Sequence, residues 1–246
     1  MKAVILGATS GMGRSISRQL AERGEQLFVL GFDAVDNAKT AADLSARSSK
    51  DFDVGHAVCD LAKPETFENA LEQADEALDG FDTVVVTAAM FGTQEQLEQD
   101  LDRALAMLRV NFAHTVVFCE YAKRRMLARG AGTLCVFSSV AGDRGRKPVA
   151  LYGSTKAGLS HYLESLDHKH RSDGLVTITV KPGFVKTPMT VGLKPPPFAG
   201  ESESVAKQVI RAIEAGKPLV YAPSIWRWIM LVIRNLPRFV MRRIAF

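Results

Sequence analysis

Three side chains within the stretch SSVAGDRGRKPVALYGSTKAG have the types and spacing for proton transfer: Ser139, Tyr152 and Lys156. Tyr152 and Lys156 stand at i and i+4 in a segment of helix-forming composition, so they share one helix face. An ammonium beside a phenol favours the phenolate and draws a pKa of about 10 toward neutrality, where a general acid or base works best. Ser139 closes an apolar run and can donate a hydrogen bond to a substrate oxygen. A second set lies near the start, in GATSGMG, where Gly7, Gly11 and Gly13 precede a helical segment. Glycines there permit a tight turn and a close approach of backbone N–H groups to a pyrophosphate, whose charge the helix N-terminus favours. Asp33 follows Gly13 by about 20 residues, the spacing of an acid that reaches a ribose 2′-hydroxyl.

The elements that must position these groups can be read from hydrophobic periodicity. Seven strand-length apolar runs (KAVIL, LFVLG, DVGHAV, DTVVVTA, GTLCVFS, LVTITVK and PLVYA) alternate with amphipathic stretches over 12–23, 37–49, 64–79, 97–129, 152–171 and 202–215. Runs that are continuously apolar belong in a sheet covered on both faces. The pattern predicts an α/β fold: a single Rossmann-like, doubly wound parallel sheet of about seven strands flanked by helices. Residues 183–200, GFVKTPMTVGLKPPPFAG, carry too much proline and glycine for regular structure, and a loop this long predicts a lid over a substrate. No internal repeat or low-complexity tract is present.

At 246 residues and 47% hydrophobic the chain is long enough for one sizeable core, expected over 1–223, with a tail over 224–246. The formal net charge is +4, yet Lys217, Arg227, Arg234, Arg238, Arg242 and Arg243 all follow the last acid, Glu214; without those six the body carries −2. Nucleic-acid binding by the body is therefore not indicated. Cys59, Cys119 and Cys135 stand far apart in apolar runs, which predicts reduced core thiols and a cytoplasmic setting. The opening MKAVIL leads straight into the glycine turn and reads as a strand rather than a signal peptide. His56, His114, His161, His168 and His170 have no metal-ligand spacing, so no metal is expected.

The glycine turn of G-x-x-x-G-x-G form, the strand-ending serine and the Y-x-x-x-K pair together resemble the short-chain dehydrogenase/reductase family, over essentially the whole chain. The resemblance implies an NAD(P)-dependent oxidoreductase passing hydride between nicotinamide and a ketone or secondary alcohol, with Ser139, Tyr152 and Lys156 catalytic. It adds Asn111, which matches the asparagine that distorts the central helix and anchors a water serving the lysine. Cofactor contacts are implied for Thr9, Ser10 and Met12 in the glycine turn, and for Asp60 and Leu61 beside the adenine. Ala88 follows the fourth strand. Pro182, Gly183, Val185 and Thr187 follow the sixth, where the Val185 backbone and Thr187 would hold the carboxamide. Tyr152 and Lys156 would touch the cofactor as well.

Two departures stand out. The usual N-N-A-G turn reads TAAM, Thr87 to Met90, and Gly31 and Phe32 occupy the positions that normally select the cofactor. With Asp33 present and no base at Ser10, NAD rather than NADP is expected.

The tail SIWRWIMLVIRNLPRFVMRRIAF mixes tryptophan and aliphatic residues with five arginines and no acid. As a helix it would place Arg227 and Arg234 on one face and Trp226, Trp228, Ile229, Val232 and Ile233 over much of the rest. It is too interrupted to span a bilayer but suits a helix lying in a membrane surface, over residues 225–246. The tail also resembles the carboxyl end of the reductase subunits of decaprenylphosphoryl-ribose epimerase systems, which implies a lipid-linked keto substrate at the inner face of the membrane. The alternatives are a soluble carbonyl reductase or alcohol dehydrogenase for a small apolar substrate, its tail a contact within a homo-oligomer, and a non-catalytic nucleotide sensor. The presence of both Tyr152 and Lys156 argues against the sensor.

Overall fold

The computed structural model describes residues 1–244; Ala245 and Phe246, at the end of the second basic segment, lie outside the described residues. The first half comprises β1 (Lys2–Leu6), α1 (Gly11–Glu22), β2 (Gln26–Gly31), α2 (Ala34–Arg47), β3 (Gly55–Val58) and α3 (Phe67–Leu78). After β4 (Thr83–Val86) come α4 (Gln94–Gln99), α5 (Leu101–Leu108), a wide π turn (Arg109–His114) and α6 (Thr115–Ala128). Then follow β5 (Gly132–Phe137), α7 (Ala150–His170) and β6 (Leu175–Pro182). Two short strands, β7 (Val185–Lys186) and β8 (Gly200–Glu201), precede α8 (Ser202–Glu214), β9 (Leu219–Ala222), α9 (Trp226–Asn235) and α10 (Arg238–Met241).

Seven strands form one sheet in the order β3-β2-β1-β4-β5-β6-β9, every pairing parallel. They are the seven predicted from the apolar runs. Alternate residues of β1 enter opposite cores: Val4 and Leu6 join Phe67, Phe118 and Leu163 on one face, and Ala3 and Ile5 join Ile16, Leu44 and Ile210 on the other. Covering both faces is what makes the strands continuously apolar. The strand order reverses between β1 and β4, where a crevice opens beyond the carboxyl ends of the strands.

Three stretches differ from expectation. The segment over 97–129 is not one helix. Asp100 accepts from the Arg103 N–H and restarts the chain as α5, and Thr93 and Gln96 form a reciprocal cap on α4. Farther on, the helix widens at Asn111 and Thr115, whose hydroxyl donates to the Val110 carbonyl at 2.6 Å. Residues 183–200 are not wholly irregular, because β7 and β8 pair and fasten the base of the loop. The third difference is α9. Trp226, Met230 and Ile233, spaced four and three apart, form one buried stripe packed on Val140 and Tyr221. Trp226 therefore does not face outward with Trp228, as the tail alone suggested; a Cβ on Gly183 would lie 2.1 Å from its indole, so the missing side chain makes the room.

Trp226 and Trp228 should accordingly differ in thermal or urea unfolding. Trp226→Ala removes a filled core position and should cost about 3–5 kcal/mol. Trp228, 62% exposed, should tolerate serine within about 0.5 kcal/mol. Equal effects would show that α9 does not pack by its inner stripe.

Candidate active site

The glycine turn between β1 and α1 depends on two absent side chains. Gly7 has φ +100°, a conformation L residues rarely adopt, and a Cβ on Gly13 would lie 2.1 Å from the Gly7 carbonyl oxygen. Thr87 closes this turn from the other side: its hydroxyl lies 3.2 Å from the Leu6 carbonyl and 3.1 Å from that of Gly7, positioned to donate to either. The departure from N-N-A-G thus supplies a hydroxyl that ties the end of β4 to the turn. Ser10 stands at the N-cap position of α1 without a side-chain cap bond, and the Thr9 carbonyl accepts from Arg14.

A cavity of about 290 Å³ opens over the turn, lined by Gly7, Thr9, Ser10, Gly11, Met12 and Gly13. Asp60, Leu61 and Ala88 complete it on one side and Thr187 on the other, so ten of the sequence-predicted cofactor residues meet here. A glycine cradle at a helix N-terminus in such a cavity fits a dinucleotide's pyrophosphate. Thr87 and Met90 of the altered TAAM turn also line it, and sequence reasoning missed Pro188 and Met189, which come from the 183–200 loop folded over the turn. His114 is another unforeseen contributor, because its Nδ1–H donates to the Leu61 carbonyl at 2.6 Å and holds that wall to the π turn.

Asp33 is not among the lining residues. Its Oδ1 accepts from the Asp36 N–H at 2.9 Å and caps α2, which accounts for part of its spacing without a ribose. Phe32, 74% exposed, projects at that end of the cavity instead.

Ser139, Tyr152 and Lys156 converge beyond β5. Ser139 accepts from the Ala141 N–H at 3.1 Å and is hydrogen-bonded to the Tyr152 hydroxyl; its own hydroxyl lies 3.5 Å from the Pro182 carbonyl. Lys156 is buried, donates to the Phe137 carbonyl at 2.9 Å and sits 5.8 Å from the centre of the Tyr152 ring. Phe91 meets that ring edge-on at 5.2 Å. Asn111 is buried and bound to one backbone residue: its Oδ1 accepts from the Met90 N–H at 2.7 Å and its Nδ2 donates to the Met90 carbonyl at 2.8 Å. It lies within the expected helix distortion, but its side chain secures the loop after β4.

The electrostatics correct one expectation. Burial pushes the Tyr152 phenol up to about 12, against the pull of the Ser139 hydrogen bond and the Arg146 charge. The phenol is therefore not lowered toward neutrality; it keeps its proton. Burial brings the Lys156 ammonium down to about 8. Arg146, which the sequence did not single out, is held below its ordinary value by burial while Asp143 and Tyr152 oppose the shift. A protonated phenol with the Arg146 charge acting on it and the Lys156 ammonium over its ring can deliver a proton to an oxygen and hold the resulting negative charge.

The remaining predicted positions, Pro182, Gly183 and Val185, follow one another at the end of β6 and the start of the 183–200 loop. Pro182 ends β6, and the Gly183 N–H donates to the Ala222 carbonyl at 3.0 Å. Val185 lies in β7, with its carbonyl accepting from the Thr190 hydroxyl at 2.8 Å.

Comparison with known proteins agrees with this geometry. The short chain dehydrogenase family model matches residues 1–196. An uncharacterized oxidoreductase of Mycobacterium tuberculosis is 33% identical over 245 residues, covering 98% of this chain and 95% of that one. Among solved structures, a short-chain dehydrogenase/reductase from Mycobacterium ulcerans superimposes with a TM-score of 0.81 at 18% identity, covering 89% of this chain and 86% of that chain. An actinorhodin polyketide ketoreductase solved with NADPH gives 0.79 at 21% identity, covering 89% and 94%. The chain is thus an NAD(P)-dependent oxidoreductase of the short-chain dehydrogenase/reductase family.

Proposed function

We propose that this oxidoreductase reduces the ketone of a hydrophobic or lipid-linked substrate at a membrane surface, with NADH as the favoured cofactor. The observation that carries the reading is the outer face of α9. Trp228, Leu231 and Val232 are more than half exposed there, Ile225 and Phe239 flank them, and arginines rim the patch. Its inner face packs on Val140, next to Ser139, so the patch lies on the tail wall of the active site. No helix among the described residues is long and apolar enough to cross a membrane, which leaves a surface-lying helix as the geometry for contact. Apolar burial at roughly 25 cal/mol per Å², with about 1 kcal/mol for each arginine near an anionic leaflet, suffices for peripheral attachment.

In catalysis the bound nicotinamide supplies hydride. Tyr152 supplies the proton: with its pKa near 12 it is protonated at neutral pH and donates to the carbonyl oxygen as charge develops there. Ser139 orients that oxygen with its own hydroxyl, which is set beside that of Tyr152, and the Lys156 and Arg146 charges stabilise the phenolate left behind. Gly7, Gly11 and Gly13 hold the pyrophosphate. Among the described residues their cavity has Asp60 as its one charged lining side chain; Arg14, which bonds the Thr9 carbonyl, stays outside the lining, so the wall offers a 2′-phosphate no lysine or arginine.

The catalytic assignment predicts that Tyr152→Phe lowers kcat by about 10²–10⁴-fold with cofactor affinity nearly retained. Raising the pH strips the Lys156 proton, so kcat/KM for reduction should be steady near neutrality and fall as pH rises past about 8. An alkaline limb well above that value, or an active Tyr152→Phe enzyme, would remove these roles. For the cofactor, fluorescence titration should give NADH at least about tenfold tighter binding than NADPH; tighter NADPH overturns the reading.

Because α9 is part of the core, the membrane reading is tested on its outer face. Trp228→Ser with Val232→Ser should release the protein from phosphatidylglycerol vesicles in co-sedimentation, and wild-type binding should weaken with salt as the arginine contribution is screened. If wild type ignores vesicles and the paired substitution instead dissociates an oligomer, the face is a subunit contact and a small-carbonyl reductase is the better reading.

A further inference from the structure

Lys181 and Tyr221 stand side by side on adjacent strands, paired in register one residue before the ends of β6 and β9. Both reach the same carboxylate. The Lys181 ammonium donates to Asp143 Oδ1 at 2.5 Å and the Tyr221 hydroxyl to Oδ2 at 2.7 Å. The Asp143 side chain is 3% exposed and that of Lys181 13%, so the ion pair is enclosed and each charge depends on the other. The Tyr221 hydroxyl is also hydrogen-bonded to Arg234 of α9, which brings the tail into the network.

The place of Asp143 in the chain decides what these bonds hold. It closes the tight turn Val140–Gly142 that begins at Ser139: its N–H donates to the Val140 carbonyl at 3.2 Å, and that of Gly142 to the Ser139 carbonyl at 3.1 Å. On its other side the turn is pressed against α7. A Cβ on Gly142 would lie 2.6 Å from both the Lys156 carbonyl carbon and the Ala157 nitrogen, so turn and helix meet backbone to backbone beside Lys156. The turn thus fills the gap between the sheet and the helix that carries Tyr152 and Lys156. Farther along the same loop, Arg146 is subject to the charge of Asp143 and acts by its own charge on the Tyr152 hydroxyl.

We infer that Asp143 is a positioning residue for the reaction: clamped by Lys181 and Tyr221, it fixes the turn that carries Ser139 and sets the Arg146 guanidinium against the Tyr152 hydroxyl. The inference rests on the carbonyl-reductase reading above and deepens it, because Asp143 acts through Ser139 and Arg146 rather than on the reacting atoms. A shift of about 1 Å in groups that orient a reacting oxygen can cost on the order of a hundredfold in rate, so loosening this clamp is felt in kcat.

The test separates rate from stability, using the full chain with NADH and 9,10-phenanthrenequinone as the probe dicarbonyl, well below the lowest Tm. Asp143→Leu strands the Lys181 ammonium and should lower Tm by about 5–10 °C. Adding Lys181→Met replaces the ion pair with apolar groups and should bring Tm back to within about 3 °C of wild type. This paired variant should still have kcat at least about tenfold low, with NADH affinity by fluorescence titration held within about twofold, since the glycine cradle lies elsewhere. A kcat that returns with Tm overturns the inference, for Asp143 then serves only to neutralise Lys181. A matching loss of NADH affinity overturns it as well, because the damage is then general. Amide exchange gives a readout that needs no turnover: residues 138–147 should exchange at least about fivefold faster in the paired variant, while residues 2–14 are unchanged. Unaltered exchange over 138–147 overturns the inference whether or not the quinone is reduced. A wild type that leaves the quinone untouched counts against carbonyl reduction instead, and exchange then decides on the clamp.

Discussion

Helices on both faces of a parallel sheet leave one place where polar side chains can gather: beyond the carboxyl ends of the strands. Nearly every feature of the site follows from that constraint. The glycine turn follows β1, Phe32 and Asp33 follow β2, Asp60 follows β3, and Thr87 follows β4. Ser139 lies two residues past β5, and the 183–200 loop leaves from β6. The seventh strand, β9, delivers the tail to the same end of the sheet, which is why an extension far along the chain forms a wall next to Ser139.

How much of this was legible depends on whether the signal was local. The seven strands were, because burial on both faces leaves an unbroken apolar run, and so was the Tyr152–Lys156 pair, because one helix fixes its geometry. The subdivision of 97–129 had local cues that the apolar periodicity masked: Thr93 with Gln96, and Asp100 ahead of Arg103, are side-chain caps. The side-chain contacts of Asn111 had no such cue, since its partner is the backbone of Met90, twenty-one positions away. The role of the Thr87 hydroxyl and that of Arg146 were missed for the same reason. Each matters through a neighbour brought by the fold, the glycine turn in one case and the Tyr152 hydroxyl in the other.

The ionisation of Tyr152 shows two local arguments in competition. Proximity to a cation lowers a phenol's pKa, while burial raises it, and spacing along a helix reveals only the first. Here burial wins, because the same packing that encloses the phenol also encloses Lys156 and lowers its own pKa. The protonated phenol and the lowered ammonium are thus two consequences of one enclosure.

The tail combines roles that its sequence alone presented as alternatives. A helix three turns long has room for an inner and an outer stripe, and α9 fills both with apolar residues. Trp226, Met230 and Ile233 complete the core at Gly183 and Val140, while Trp228, Leu231 and Val232 remain outside. Burial of one stripe fixes the orientation of the other without requiring a membrane or a partner to fold it. Because the inner stripe touches the residue after Ser139, whatever holds the outer stripe also holds the wall of the active site. The tail's charge follows the same division: Arg227 lies over the Trp228 ring at 5.8 Å, beside the outer stripe, and none of the tail's arginines is buried with the inner one.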